Sequence, residues 1–194
     1  MFNEVRQNRT LEHESVKIAD INEEKNTIKF TGEVLDYFIH PDGSRELIRH
    51  DHNLIVNDCS VLIALLMRQE VGYVGLQYWA VGAGSNTWPN DPPPAPSASD
   101  SQLVDETYRK AIDTVNDIVY LDDSNVVSLT PTHKIQITVI FEEAEANGEL
   151  REFGIFGGNA SATLNSGVMI NHKIHPLIYK TTALRLERIL RLTF

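Results

Sequence analysis

KIQITVIFEEAEANGELREFGIFGG, residues 134–158, holds the clearest strand–turn–strand pattern in the chain. Apolar and polar side chains alternate over its first eight residues, and the apolar ones are Ile135, Ile137, Val139 and Phe141. A period of two is typical of a strand with one buried face, and Asn147-Gly148 is a dipeptide that favours tight hairpin turns. The stretch therefore predicts an antiparallel hairpin, and Ile140, which breaks the alternation, suggests that the first strand is covered on both sides.

Similar strand patterns lie on both sides of this stretch. Residues 32–56 are predicted to form a second hairpin, because Pro41-Asp42-Gly43-Ser44 supplies turn-forming residues between two apolar segments. Pro176 predicts a strand end or edge, since proline cannot donate to a sheet ladder. The last segment is predicted as a strand rather than a helix because a period of two fits more of its leucines, and Arg188 marks a possible β-bulge. Further strands are predicted over 15–21, 26–30, 76–84, 167–179 and 182–194.

One good helix is predicted directly after the second hairpin. Asn57 or Asp58 can cap it, because a short side-chain oxygen accepts a hydrogen bond from a free N–H of the first turn, and Gly72 is the predicted stop. The residues that share one face at helical spacing are Val61, Leu62, Leu65 and Leu66. Since most other positions are also apolar, we expect this helix to be buried on most sides.

The remaining segments complete a prediction for the fold. A second, shorter helix over residues 101–112 is suggested by Ser99-x-x-Gln102, which has the spacing of a capping box. A proline-rich loop over residues 86–100 precedes it, and the polar residues 1–15 are predicted to form an N-terminal arm. The sequence therefore predicts a single β-rich domain over residues 16–194. Its fold class is mainly β with one or two short helices (α+β), in an antiparallel β-sandwich-like arrangement.

Composition narrows the classes of function. The 194 residues carry a formal net charge of −10, which argues against a nucleic-acid partner, because binding to phosphates needs a basic surface. The longest apolar run, residues 61–67, is far shorter than the roughly 20 residues that cross a bilayer, so no membrane partner is expected. No secretory signal is expected, because the N-terminal residues are polar and lack an apolar segment. Cys59 is the single cysteine, so an internal disulfide is impossible.

Charge is unevenly distributed along the chain. Residues 90–125 hold eight acidic and two basic side chains, whereas residues 173–194 hold five basic and one acidic. Such asymmetry favours contacts between neighbouring copies of the chain, although chance clustering on a solvated surface explains it equally well. The proline-rich loop, with Trp88 as a possible anchor, is a second candidate contact. The predicted interface residues are Trp88, Pro92, Pro93, Pro94, Arg185, Arg188 and Arg191.

Two groups of side chains invite a metal-binding or catalytic interpretation. His50 and His52 are two residues apart, so both point to the same face of a strand, and they could bind zinc or iron if His172 or His175 converged on them. Cys59 lies at a helix start, where a thiolate is favoured. Simpler structural roles explain both groups better. We therefore predict no catalytic, metal-binding or cofactor-binding residue, no cofactor, and a protein that is not an enzyme.

Several short motifs, in this order, resemble a group of small virion proteins of tailed bacteriophages. They are HNLIVN (52–57), an apolar helix, YWAVGAGS (78–85), EANGELREFGIFGG (145–158) and a closing strand that ends in LTF (192–194). The resemblance covers residues 32–194. It implies a non-enzymatic structural component of the tail, baseplate or fibre, located in the virion, whose partners are other virion proteins and copies of itself. It provides no catalytic residue.

Three alternatives remain open. The same resemblance fits a head-decoration or neck protein. Trp88 and nearby tyrosines could stack on sugar rings in a carbohydrate-binding receptor module, and His50 with His52 could serve a metal hydrolase. The structural hypothesis predicts instead a homo-oligomer in which residues 1–15 and 86–100 lie against other chains.

Overall fold

The computed structural model describes residues 30–194. The predicted N-terminal arm and the predicted strands over residues 15–21 and 26–30 lie outside this range, apart from Phe30. Within it the chain forms one helix, α1 (Asp58–Met67), and ten strands. The strands are β1 (Thr31–Ile39), β2 (Arg45–Ile55), β3 (Val74–Gly82), β4 (Glu106–Ala111), β5 (Ile118–Leu121), β6 (Val127–Ser128), β7 (Lys134–Phe141), β8 (Gly148–Gly158), β9 (Val168–Lys180) and β10 (Arg185–Thr193).

The ten described strands pair antiparallel in the order β4-β3-β8-β9-β2-β1-β10-β7-β5-β6. β2 joins two halves of this order. The first half is β4-β3-β8-β9 and the second is β1-β10-β7-β5-β6. β2 pairs with β1 along most of its length and with β9 through Leu54 and Ile55. The halves pack against each other, since one hydrophobic core contains Trp79 from the first half and Phe141 and Leu190 from the second. The structure confirms a mainly β, antiparallel, sandwich-like fold.

The hairpin predicted over residues 32–56 is confirmed, because β1 and β2 pair on either side of the turn at residues 41–44. The final segment is a strand, as predicted, and it pairs with β1 and β7. The alternation predicted for β7 is also present, since Ile137, Val139 and Phe141 are buried and the residues between them are only half-buried. The period of two therefore identified β7 and β10 correctly, and the turn-forming residues identified the hairpin of β1 and β2.

The hairpin predicted over residues 134–158 is wrong in its pairing, although both of its strands exist. β7 pairs with β10 and β5, whereas β8 pairs with β9 and β3, so residues 142–147 carry the chain from one half of the sandwich to the other. The side chain of Lys180 fixes this crossing, because its Nζ donates to the carbonyl oxygen of Glu142 at 2.7 Å and to Oδ1 of Asn147 at 3.1 Å. An Asn-Gly pair signals a turn, but it does not specify which strands pair.

The second helix predicted over residues 101–112 is also wrong. Residues 106–111 form β4, which lies at one end of the strand order beside β3. Its buried side chains are Glu106 and Arg109, whose two hydrogen bonds measure 2.5 and 2.8 Å, and Arg109 also donates to the carbonyl oxygen of Ser161 at 2.8 Å. Hydrophobic periodicity could not reveal this strand, because the buried pair is ionic.

Pro176 lies inside β9 and not at a strand end, but β9 is an edge at this point, because β2 pairs with it only at Asn171 and His172 within the described residues. Leu150 of β8 pairs with Ile178 and Glu152 pairs with Ile174, so residues 175–177 of β9 bulge opposite the single residue between them. A bulge releases residues from the ladder, and a proline there costs no interstrand hydrogen bond.

Arg188 does not cause the suggested bulge in β10. The pairing of β10 with β7 is continuous from Leu186 to Thr193. The side chain of Arg188 points into the sandwich in line with Leu186 and Leu190, and it is fully buried. The charge is therefore accommodated in the interior, at a regular position of the strand.

The segment between β3 and β4, which contains the proline-rich loop, covers the outer face of the first half of the sandwich. Leu103 packs with Phe156 and Met169 in a second hydrophobic cluster. Gly82 permits this close return of the chain, because a Cβ there would lie 2.5 Å from the carbonyl oxygen of Asp105. The loop therefore adds a third layer to part of the fold.

The predicted helix is confirmed, but its end and its burial differ from the prediction. α1 ends at Met67, and Gln69 adopts the left-handed conformation (φ +58°) that terminates it, so Gly72 is not the stop. Asn57 is the N-cap residue, although its side chain makes no capping hydrogen bond with the described residues. Cys59 and Leu62 are the buried helix residues, so burial on most sides is wrong.

Candidate functional site

An exposed apolar surface lies on the outer side of α1 and continues into the start of β3. We call it the outer α1 surface, and it consists of Val61, Ala64, Met67, Val71 and Val74. Met67 is 82% exposed and Val71 is 92% exposed. Helical spacing places Val61, Ala64 and Met67 on one face. Large patches of exposed apolar side chains mark interaction sites in soluble proteins.

A small apolar groove lies on the inner side of the same helix. Its volume is about 130 Å³, and its lining includes Leu62 and Leu66 of α1 and Leu192 of β10. Phe194 also lines the groove and packs edge-on against Phe30, with 5.5 Å between the ring centroids. Apolar side chains therefore extend from the core, through this groove, towards the outer α1 surface.

A cluster of buried charges spans three adjacent strands, β2, β1 and β10. Asp36 lies directly opposite Arg188 and directly opposite Arg49. Arg49 donates to Oδ2 of Asp36, and Nη2 of Arg188 lies 3.6 Å from the same oxygen. Burial lowers the pKa of Arg188 to about 10, so it stays charged at neutral pH. Two guanidinium groups thus share one buried carboxylate. Asp51 also lies near enough to Arg49 to act on its charge, but it pairs with Lys173, so the group keeps one positive charge in excess.

His175 completes this cluster as a neutral ring. Its Nδ1 lies 2.8 Å from the carbonyl oxygen of Pro176, and its Nε2 lies 3.2 Å from Nη2 of Arg188. Because arginine can only donate, Nε2 accepts from Arg188 and Nδ1 donates to Pro176. Burial, together with the positive charges of Arg49 and Arg188, lowers the pKa of His175 well below its ordinary value. His175 therefore adds no charge to the cluster.

His172 of β9 connects Asp100, the last residue of the proline-rich loop, with Glu152 of β8. Its Nδ1 lies 2.7 Å from Oδ2 of Asp100, and its Nε2 lies 3.1 Å from Oε2 of Glu152. Glu152 is fully buried and also accepts hydrogen bonds from the backbone N–H groups of Val104 and Asp105, at 3.1 and 2.8 Å. Burial opposes the charged imidazole, but the hydrogen bonds and charges of Glu152 and Asp100 outweigh it and raise the pKa of His172.

We expect His172 to make the stability of the protein depend on pH. A histidine whose pKa is higher in the folded state stabilises the fold fully below its unfolded pKa of about 6.5 and loses this contribution as pH rises through the folded pKa. Urea unfolding of the wild type and of His172→Gln, between about pH 6 and about pH 9, should give the largest difference in unfolding free energy at the acidic end. A difference that stays constant over this range would contradict a charged His172.

The four histidines considered for the metal-binding alternative are not grouped as one site among residues 30–194. His50 lies 2.7 Å from Oε1 of Glu33, and His52 lies 3.3 Å from the carbonyl oxygen of Gly32. His172 and His175 make the buried contacts given above. Partial burial opposes ionisation of Glu33, but hydrogen bonds from His50 and Arg191 lower its pKa overall. Within residues 30–194, no three His, Cys, Asp or Glu side chains are grouped as a metal site.

Cys59 lies in an apolar environment under α1. Its side chain is buried, and it lines the groove beside Leu62. Burial raises the pKa of its thiol to about 11. A nucleophilic cysteine needs a lowered pKa, so the chemistry of this site favours the role of a small packing residue.

The predicted interface residues differ in accessibility. Trp88 is half-buried against Gly84, where an added Cβ would lie 2.2 Å from the indole ring. Arg185 and Arg191 are partly exposed. The prediction that Arg188 is an interface residue is wrong, because its side chain is completely buried. Of the three prolines, Pro92 is exposed, whereas Pro93 and Pro94 are half-buried.

Sequence reasoning missed the two most distinctive features of the described chain. The signal for the outer α1 surface was a helix that is apolar on all sides, which the prediction assigned to the core. The signal for the charge cluster was Arg188 within a row of leucines, which the prediction assigned to a bulge and to an interface. In both cases the unusual residue was visible, but its partners were not.

The three comparisons with known proteins return nothing that identifies the chain. No family model, no curated protein and no solved structure matches it. Within residues 30–194, no helix is long and apolar enough to cross a membrane.

Proposed function

We propose that this chain is a non-enzymatic structural component of a tailed phage particle, located in its tail or baseplate. It acts through contacts with copies of itself and with other virion proteins. The order of short motifs from HNLIVN to the closing LTF supports this assignment by resemblance. The observation that carries the proposal is the outer α1 surface, because an assembly protein needs an exposed patch of this kind.

The composition of α1 supports a partner for this surface. A helix that is apolar on all sides is typically surrounded by protein, yet Met67 projects from it with 82% of its surface exposed. Val71 and Val74 extend the apolar surface beyond the helix. A second chain that covers these side chains would remove their apolar area from water, which is the main driving force of association.

Val71→Glu should weaken self-association about tenfold or more, because it places a charge in the middle of an apolar contact. The matched control is Val115→Glu, since Val115 is 82% exposed and lies in the turn between β4 and β5. Sedimentation velocity over a range of protein concentrations measures the effect. A wild-type chain that stays monomeric throughout, or equal effects of the two substitutions, would count against assembly through α1.

The position in the particle requires a separate experiment. Antibodies raised against the purified chain should label the tail or baseplate of phage particles from the source strain in electron micrographs. Label on the capsid or the neck would favour the head-decoration or neck alternative. Particles that carry no label would contradict a virion component of either kind.

A further inference from the structure

A cleft lies between β2 and β9, beside the charge cluster. Within the described chain these strands pair at Leu54 and Ile55 and then separate, leaving a cavity of about 310 Å³. Both strands carry a bulge here, at Ile48 in β2 and at residues 175–177 in β9. Bulges are frequent next to functional sites, and this volume falls at the small end of ligand pockets.

The walls of the cleft are apolar, but one charged side chain lies among them. Phe38, Ile48, Leu177 and Ile178 form much of the lining, and Arg49 is the charged member. The side chain of Arg49 is only 10% exposed. Its Nη2 donates to Asp36, whereas within residues 30–194 its Nε and Nη1 are buried and have no hydrogen-bond partner.

Arg188 has the same deficit behind Arg49. Its Nε and Nη1 are also buried without a partner among the described residues. Buried donors are nearly always paired, and buried charges are normally paired as well. Here Asp36 serves both guanidinium groups through Oδ2, while its Oδ1 is buried without a partner among the described residues. The cluster therefore carries two positive charges and one negative charge.

We propose that the cleft binds a monocarboxylate that carries a short apolar group. The carboxylate pairs with the guanidinium of Arg49, and the apolar group lies between Phe38, Ile48 and Leu177. Arg49 turns towards the cleft on its flexible stem, and Asp36 stays with Arg188. Each guanidinium group then has its own carboxylate.

Charge and shape select this class of ligand. The cluster has one uncompensated positive charge, which a single carboxylate balances, whereas phosphate at neutral pH would bring surplus negative charge into an apolar cleft. Hydrogen bonds between a guanidinium and a carboxylate are charge-assisted and geometrically matched. The apolar walls favour a hydrocarbon group behind the carboxylate rather than a bare inorganic ion.

Hexanoate is the probe, with acetate and phosphate at equal ionic strength for comparison. Hexanoate should raise the melting temperature in a saturable manner, acetate should act more weakly, and phosphate should have no saturable effect. Arg49→Met should weaken hexanoate binding about tenfold or more, as expected for the loss of a charge-assisted hydrogen bond. It should stay folded, because Asp36 and Arg188 remain as a balanced pair.

Arg45→Met is the matched control, because Arg45 lies on the same strand and pairs with Glu187 on the surface. It should leave hexanoate binding unchanged. If Arg49→Met fails to fold, nitrogen NMR of the wild type decides the question, since hexanoate should shift the side-chain resonance of Arg49 and not that of Arg45. No saturable effect of hexanoate, an equal effect of phosphate, or unchanged binding by Arg49→Met would overturn the proposal.

The carboxylate can belong to a free molecule or to the side chain of a protein. An acetylated and amidated peptide with one glutamate among apolar residues separates these sources. Binding of the peptide at lower concentrations than hexanoate assigns the cleft to a protein partner, and binding of hexanoate alone assigns it to a free carboxylate. Both results support the proposal, which is independent of assembly through the outer α1 surface and is tested by different variants.

Discussion

Asp36→Asn should destabilise the protein by about 3–5 kcal/mol, the usual effect of removing one partner from a buried ion pair. The substitution preserves the shape of the side chain but leaves Arg49 and Arg188 without a negative charge. Asp36 and Arg188 have no exposed side-chain surface, so water cannot compensate for the loss. Urea unfolding measures the change in the free energy of unfolding.

Glu70→Gln is the control, because Glu70 forms an ion pair with Arg68 at 3.3 Å whose side chains are 36% and 79% exposed. Exposed pairs of this kind contribute about 0–1 kcal/mol. Replacing Asp36, Arg49 and Arg188 together by Leu, Met and Leu should restore stability to the wild-type level or above, since apolar side chains of similar volume often match a buried ionic group. A loss below about 1 kcal/mol for Asp36→Asn would mean that the cluster is better hydrated than its burial implies.

These variants also connect the cluster with the cleft. Asp36→Asn leaves two unpaired cations, whereas Arg49→Met leaves the pair of Asp36 and Arg188. The first should therefore be far more damaging than the second, although both remove one charge.

The strands that the sequence predicted correctly are those whose buried face is apolar. β7 and β10 alternate with a period of two, and this pattern fixes their faces whatever their neighbours are. β4 was missed because its buried side chains, Glu106 and Arg109, are charged and form an ion pair with each other. Neither residue alone indicates a buried position. Strand pairing was predicted less well. The turn at Asn147-Gly148 connects β7 and β8, which belong to different halves and do not pair. Which strands pair is decided by the packing of both halves on one core, and a local turn motif does not show this.

The candidate sites also combine features that the local sequence shows with features that depend on distant parts of the chain. Arg188 interrupts a row of leucines, and Asp36 follows Val34 and Leu35 in β1, so each charge was visible as an exception. Their register partnership depends on how β1 and β10 align over the whole sheet, which is a non-local property. The exposure of Met67 and Val71 likewise depends on which side of α1 meets the sandwich.

Glu152→Ala should destabilise the protein by about 3 kcal/mol or more and release the segment that follows the proline-rich loop. Glu152 accepts from the N–H groups of Val104 and Asp105 and pairs with His172, and hydrogen bonds to charged groups contribute about 1.5–3 kcal/mol each, without strict additivity. Hydrogen exchange at Val104 and Asp105 should therefore accelerate, and urea unfolding gives the loss of stability.

Glu149→Ala separates this effect from a general weakening of β8. Glu149 lies on the same strand, is 50% exposed and pairs with Arg151 at 3.7 Å, so its loss should change stability by less than about 1 kcal/mol. If Glu152 anchors the loop, exchange should accelerate at residues 100–105 while the amides of β7 and β10 stay protected, because local opening precedes global unfolding. Uniform acceleration across both halves of the sandwich would show that Glu152 supports the whole fold, and the third layer would then have no independent attachment.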